Sequence, residues 1–208
     1  MISVKKRNII IVALLLILVT VFLGVSTAVF FYLGRGTTNN VIDTGRIIFS
    51  YSETEFGVDG DNIDIMDALP TPDSVGKIMA DTHEYFDFNV SASTTSTDIA
   101  YEIVAKKQDG STMPEDIVKI YLTEFNGATE VETPITGGSI TPTFDTLDDT
   151  TNNLVEGKTI YQGIVKAGEV AYGKKFRLRM WISDEADAAN IADLKFTIKV
   201  NVVAVGNN

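Results

Sequence analysis

The chain has 208 residues, no cysteine, one histidine and a formal net charge of −11. An acidic surface of this kind repels nucleic-acid phosphates and anionic lipid heads, which argues against a nucleic-acid partner. Without cysteine there is no disulfide framework, no lipoprotein-type lipidation and no thiolate metal site, so a folded domain here must rest on its apolar core.

Residues 1–8 form a short basic tail containing Lys5, Lys6 and Arg7, followed by Ile9–Leu33, a run with no charged residue. About 20 helical residues cross the roughly 30 Å of bilayer hydrocarbon, so residues 9–33 read as a transmembrane helix that engages the lipid bilayer. The basic flank places the amino terminus in the cytoplasm and the rest outside. A cleaved signal peptide competes with this signal anchor, because Ser26 and Ala28 make a small-x-small cleavage site. Against cleavage, the apolar run continues as VFFYL past that site, beyond the usual length of roughly 7–15 residues for such a segment. Either way the remainder is exported. The first 36 residues carry four basic side chains and no acidic one, so residues 37–208 carry −15.

Residues 34–44, rich in Gly, Thr and Asn, read as a flexible linker to a domain over residues 45–205. Arg46–Glu53 and Ile63–Met66 open that domain as strands. Pro70 and Pro72 interrupt any ladder and leave one helical turn within Asp73–Met79. In Tyr85–Ala92 the residues Phe86, Phe88, Val90 and Ala92 share one face, and Ile99–Lys106 alternates in the same way, the two joined by a polar hairpin loop at Ser93–Asp98. Asp116–Glu124 alternates next, and Asn126-Gly127 signals a hairpin returning through Glu130–Thr133. From Pro134 to Glu156 the chain loses its period and collects Thr, Asp and Asn, making this the first place to look for partner contacts. Lys158–Lys166, Lys175–Ser183 and Asp193–Val203 complete the set, with a helical turn inside DEADAANIAD. About eight or nine short strands with one apolar face each predict an all-β fold, an antiparallel β-sandwich of jelly-roll or immunoglobulin-like strand order.

Candidate chemistry is sparse. Gly157-Lys158-Thr159 imitates the end of a phosphate-binding loop, but Asn152 stands where the motif needs glycine and a strand pattern follows where it needs a helix. Asp59, Asp61 and Asp64, or Asp184, Glu185 and Asp187, offer oxygens for calcium held between loops; a solvated acidic turn is the alternative. His83 is a lone histidine without a catalytic serine motif. Arg177, Arg179 and Trp181 share one face of a strand and offer cation-π contact to an acidic partner or a sugar ring; the competing reading packs them under a loop with the arginines paired to carboxylates. No catalytic constellation and no cofactor motif is recognised, and acidic residues are too abundant for any one pair to indicate glycoside hydrolysis.

The succession NIDIMDALPTPDSVGKIM, YFDFNVSAS, DIAYEIVAKK, VKIYLTE and KFRLRMWISDEAD, behind a basic start and a long apolar helix, resembles single-pass surface proteins of Gram-positive bacteria and their phages. The likeness covers Arg46 to Val203. More distantly, through layout and the segment FDFNVSAS, the chain is similar to the TasA/camelysin group of exported β-sandwich proteins associated with matrix fibres. That likeness implies leader cleavage and polymerisation by strand donation, and it carries no catalytic residues. The expected role is therefore non-catalytic, structural or adhesive, at the cell envelope with a protein or glycan partner. Self-association as a fibre or virion subunit is the alternative, and a cell-wall glycan-acting enzyme comes third.

Overall fold

The computed structural model describes residues 31–35, 40–43, 47–53, 63–66, 68–80, 85–126, 131–136 and 140–207. The expected helix over residues 9–30, together with His83, Asp59 and Asp61, lies outside the described residues. Among those described, no helix is long and apolar enough to cross a membrane.

Eleven strands are described: β1 (Phe31–Arg35), β2 (Asn40–Asp43), β3 (Ile47–Glu53), β4 (Ile63–Met66), β5 (Tyr85–Thr94), β6 (Asp98–Lys107), β7 (Val118–Asn126), β8 (Val131–Pro134), β9 (Lys158–Val165), β10 (Tyr172–Ile182) and β11 (Lys195–Asn207). Among the described residues helical structure is limited to short turns, including α1 (Asp73–Gly76) and α2 (Ala188–Ile191). Two antiparallel sheets result. The first runs β4-β11-β6-β9, with β1 sharing the β4 side of β11; the second runs β2-β3-β5-β10-β7-β8. Pairing is nested, β4 with β11, β5 with β10, β6 with β9 and β7 with β8, as when a long hairpin of paired strands is rolled on itself. That is the jelly-roll order, which alternation alone left open against the immunoglobulin-like one.

The inward faces are those the alternation marks. Phe88, Ile103, Leu122, Phe176, Leu178, Phe196, Ile198 and Val202 are all almost wholly buried between the sheets. Phe88 and Phe176 stack at 5.3 Å, and Phe144 meets Phe196 edge-on at 5.1 Å. Each such side chain contributes about 1.5–3 kcal/mol by leaving water, and together they replace the disulfides the sequence lacks.

Two expectations need correcting. Phe31–Leu33, read as the end of the apolar helix, and much of the 34–44 linker are paired strands: β1 lies along Val205–Asn201 of β11, and β2 pairs with β3. The compact unit accordingly begins at Phe31. Strand pairing at a sheet edge needs only aligned backbone N–H and C=O groups, so a Gly-, Thr- and Asn-rich stretch can pair without any side-chain alternation to announce it.

Candidate functional site

The outward face of the first sheet is where the irregular segment after β8 settles. On β6 the outward positions are Ala100, Glu102, Val104 and Lys106; on β11 they are Lys199, Asn201 and Val203, with Lys199 directly opposite Lys106 and Val203 opposite Glu102. On β9 the register slips between Ile103 and Val104 of its partner, a β-bulge. In a regular strand residues three apart point to opposite faces; the bulge brings Gln162, directly opposite Glu102, and Thr159, opposite Val104, onto the same outward face.

Glu102 is only 6% exposed. Its carboxylate accepts from Thr150 Oγ1 at 2.8 Å, from Asn152 Nδ2 at 2.7 Å, from Thr159 Oγ1, and more weakly from the Thr151 N–H and Gln162 Nε2 at 3.4 Å. Burial pushes this carboxyl up, but the hydrogen bonds from Thr159, Asn152, Thr150 and Gln162 outweigh it and hold the group below its ordinary range. Glu102 is thus an ionised group solvated by neutral donors, and three of those donors belong to the loop. Asn152 Oδ1 accepts from the Leu154 and Val155 N–H groups at 2.9 Å each, which turns the loop back on itself. Val155 then packs on Val104 and Val203, a small apolar cluster outside the main core. Backbone bonds from Thr159 to Asp148 and from Thr150 to Gly157 close its base.

Pinned in this way, the loop divides the outward face into two clefts that share Asn153. One, of about 590 Å³, is lined by Ala100, Glu102, Thr151, Gln162, Ile164 and Val203 among others. The other, of about 450 Å³, is lined by Lys106, Gln108, Glu156, Lys199 and Asn201 among others. Exposed amides and hydroxyls among apolar side chains suit a ligand rich in hydroxyl and amide groups. Glu102 is the one carboxylate lining the larger cleft.

The arginine–tryptophan face of β10 is closed. Trp181 is 2% exposed, with Gly76 of α1 seated against its ring. Arg179, 3% exposed, donates through Nη1 and Nη2 to Glu132 at 2.5 and 2.9 Å, and through Nε to the Met79 carbonyl at 2.7 Å. Arg177 holds Asp87 with two bonds, at 2.7 and 2.9 Å, and lies 3.6 Å from the centroid of the Tyr85 ring. Trp181 and Arg179 therefore pack against the segment of residues 68–80, while Arg177 is tied to Asp87 and Glu132. Burial raises the Glu132 carboxyl, but Arg179, Thr123 and the charge of Arg177 more than offset that and keep it below its ordinary range.

The acidic candidates are dispersed in role. Asp64 pairs with Lys195 at 3.1 Å, Asp187 caps α2 by accepting from the Ala189 N–H, and Asp184 and Glu185 stand exposed in the turn after β10. Among the described residues no three acidic or histidine side chains come together as a metal site would need. Gly157-Lys158-Thr159 leads into β9, so no helix terminus faces that turn. Glu102 itself escaped the sequence reading; the available signal was a lone acid at an outward position flanked by Ala100 and Val104, with a polar, aperiodic loop downstream that needed an anchor.

No protein-family model matches the chain, and no curated protein matches it. Among solved structures it is similar to a carbohydrate-binding module that recognises mannan, at 11% identity over 84% of this chain and 88% of that one, with a TM-score of 0.25. It is also similar to a modular endo-1,4-β-D-xylanase of Clostridium thermocellum complexed with xylohexaose, at 10% identity over 84% of this chain and 29% of that one, with a TM-score of 0.24. A third is the K1 cleaved adhesin domain of Lys-gingipain from Porphyromonas gingivalis, at 12% identity over 86% and 99% of the two chains, with a TM-score of 0.23. Likenesses this loose specify no site.

Proposed function

We propose that the protein is a non-catalytic binding module of the cell envelope, a single-pass protein of a Gram-positive bacterium or its phage, anchored through the apolar run within residues 9–30, that holds a glycan along the outward face of its first sheet. The observation that carries the reading is the pair of clefts flanking the loop of residues 150–157, the larger of them mostly apolar, with Gln162, Thr151 and Asn153 offering donors and acceptors along its walls. A glycan hydrolase needs two carboxylates facing the bond to be cut, one of them held protonated. Glu102 is alone in the larger cleft and is held ionised, which favours binding over cleavage.

Two experiments test this. Titrating the full chain in non-ionic detergent with envelope oligosaccharides should give saturable binding that weakens about tenfold in the Thr151→Ala, Asn153→Ala double variant, whose melting temperature stays at the wild-type value. Binding unaffected by these changes would place the ligand elsewhere. Protease added to intact cells should remove the sandwich; protection until lysis would refute the exported topology.

Self-assembly through strand edges is the second reading. It is favoured by β1 and by the β2–β3 hairpin, which extend the two sheets through backbone pairing. Size-exclusion chromatography and negative-stain imaging decide it, since a stable monomer at high concentration is incompatible with a fibre subunit.

A further inference from the structure

Among the described residues two carboxylates are almost wholly buried, Asp87 at 4% exposure and Glu102 at 6%. They are treated in opposite ways. Asp87 is neutralised by two cations, Arg177 at 2.7 Å and Lys175 at 3.0 Å. Glu102 has no cation in ion-pair contact among the described residues, and its donors are all neutral. A buried charge is ordinarily matched by an opposite one. The shortfall falls on one oxygen. Oε2 holds Thr150 and Asn152 at 2.8 and 2.7 Å, whereas Oε1 has one close donor, Thr159, and two at 3.4 Å, the Thr151 N–H and Gln162 Nε2. Good hydrogen bonds from nitrogen to oxygen span about 2.7–3.2 Å, so these two are long. Thr151, Gln162 and Glu102 all line the larger cleft, so the under-satisfied oxygen is the one whose loose donors belong to the cleft wall.

We infer that the glycan carries a free amine: an amino sugar whose ammonium group sits against Glu102 in the larger cleft and supplies the counter-charge that the described residues do not. This inference rests on the glycan reading above and deepens it. An ammonium donating to Oε1 replaces two long bonds from neutral groups, and a bond between two charged partners is roughly twice as strong as a neutral one. The exchange leaves the bonds from Thr150, Asn152 and Thr159 in place, so the loop stays anchored while the ligand is held. Those same donors keep Glu102 ionised in mildly acidic solution, where a sugar amine is protonated. The neighbouring cleft does not compete, because Lys106 and Lys199 line it and disfavour a further ammonium there. At longer range the −15 carried by residues 37–208 draws cations towards the domain.

The test titrates the full chain in non-ionic detergent and mildly acidic buffer with hexamers of chitosan, chitin and cellulose, and with hexalysine. The three sugars share one backbone and carry an ammonium, an acetamide or a hydroxyl on the same carbon. The expected result is binding of the chitosan hexamer about tenfold tighter than the cellulose hexamer. Glu102→Gln should erase that preference. Because this change also loosens the loop, Ile164→Lys is the second variant. Ile164 is 55% exposed, lines the same cleft and lies opposite Ala100, next to Gln162 on the outward face, so a lysine there brings an ammonium to Glu102 with every bond of the loop kept. It should erase the preference too, with cellulose-hexamer binding within a few-fold of wild type and an unchanged or higher melting temperature. Glu156→Gln, outside the larger cleft, should keep the preference; its loss there would overturn the inference by showing that any nearby acid suffices. Equal affinity for the three hexamers, or tighter binding of the acetamide, overturns the amine and leaves the glycan reading standing. Binding of none overturns the amine as well, and the glycan reading with it when envelope oligosaccharides also fail. Hexalysine binding as tightly as chitosan overturns the inference, since the cleft would then read charge without sugar.

Discussion

At the scale of single residues, burial decides which groups are available to a ligand. The sequence leaves Trp181 and Arg179 either as an exposed recognition face or as one packed under a loop, and burial gives the second: Gly76 lies so close to the indole that a Cβ there would sit 2.3 Å from ring carbons. Gly76→Ala should therefore cost about 1–3 kcal/mol of stability, read as a lower melting temperature with a red shift of tryptophan fluorescence as the ring is displaced. Two carboxylates, Glu102 and Glu132, have folded-state proton affinities below their ordinary value of 4.5. A depressed carboxyl stabilises the fold above that ordinary value, and the contribution is lost as pH falls through the lower folded-state value. Melting temperature should thus drop on acidification below pH 4.5, and the drop should be shallower in Glu102→Gln and in Glu132→Gln, each of which starts from a lower plateau at neutral pH. Neither role was legible in the sequence. Glu132 falls on a short strand whose four residues carry no clear alternation, and the partners of Glu102 lie as much as 60 residues away.

At the scale of elements, the loop over residues 148–157 is held by backbone bonds at its base, by Val155 on Val104 and Val203, and by the Glu102 carboxylate. Glu102→Ala removes the acceptor shared by Thr150, Asn152 and Thr159, at a cost of about 1–3 kcal/mol. Hydrogen exchange and limited proteolysis should then rise within residues 150–157 while the β6 and β11 amides stay protected, and glycan binding should weaken in step. A uniform rise across the sheet would show that Glu102 supports the whole sandwich and does more than hold the loop. The strands themselves were largely readable. Ile63–Met66 and the alternating runs of β5, β6, β7, β9, β10 and β11 appear where their apolar periods place them, because each gives one face to a common core. β1 and β2 escaped, since neither carries a period. The bulge in β9 escaped too, since it is a relation between two strands and leaves no mark on one.

At the scale of the molecule, strands β4 to β11 complete two four-stranded sheets by themselves, and β1 to β3 add to their margins. Deleting residues 1–53 should leave a folded sandwich by circular dichroism. The loss would bare the β5 margin and part of β11, so the truncated protein should self-associate in size-exclusion chromatography where the full-length chain does not; loss of β structure would instead show that the margins are required for folding. Strand order was beyond reach of the sequence because it joins residues more than a hundred positions apart, such as Ile65 and Phe196. The same nesting governs synthesis. As the polypeptide leaves the ribosome, β4, β5 and β6 emerge long before their partners, and β11, which occupies the middle of its sheet, comes last. A nascent chain lacking the 13 residues of β11 has a gap at the centre of one layer, so loss of that strand should be far more damaging than loss of β1 to β3.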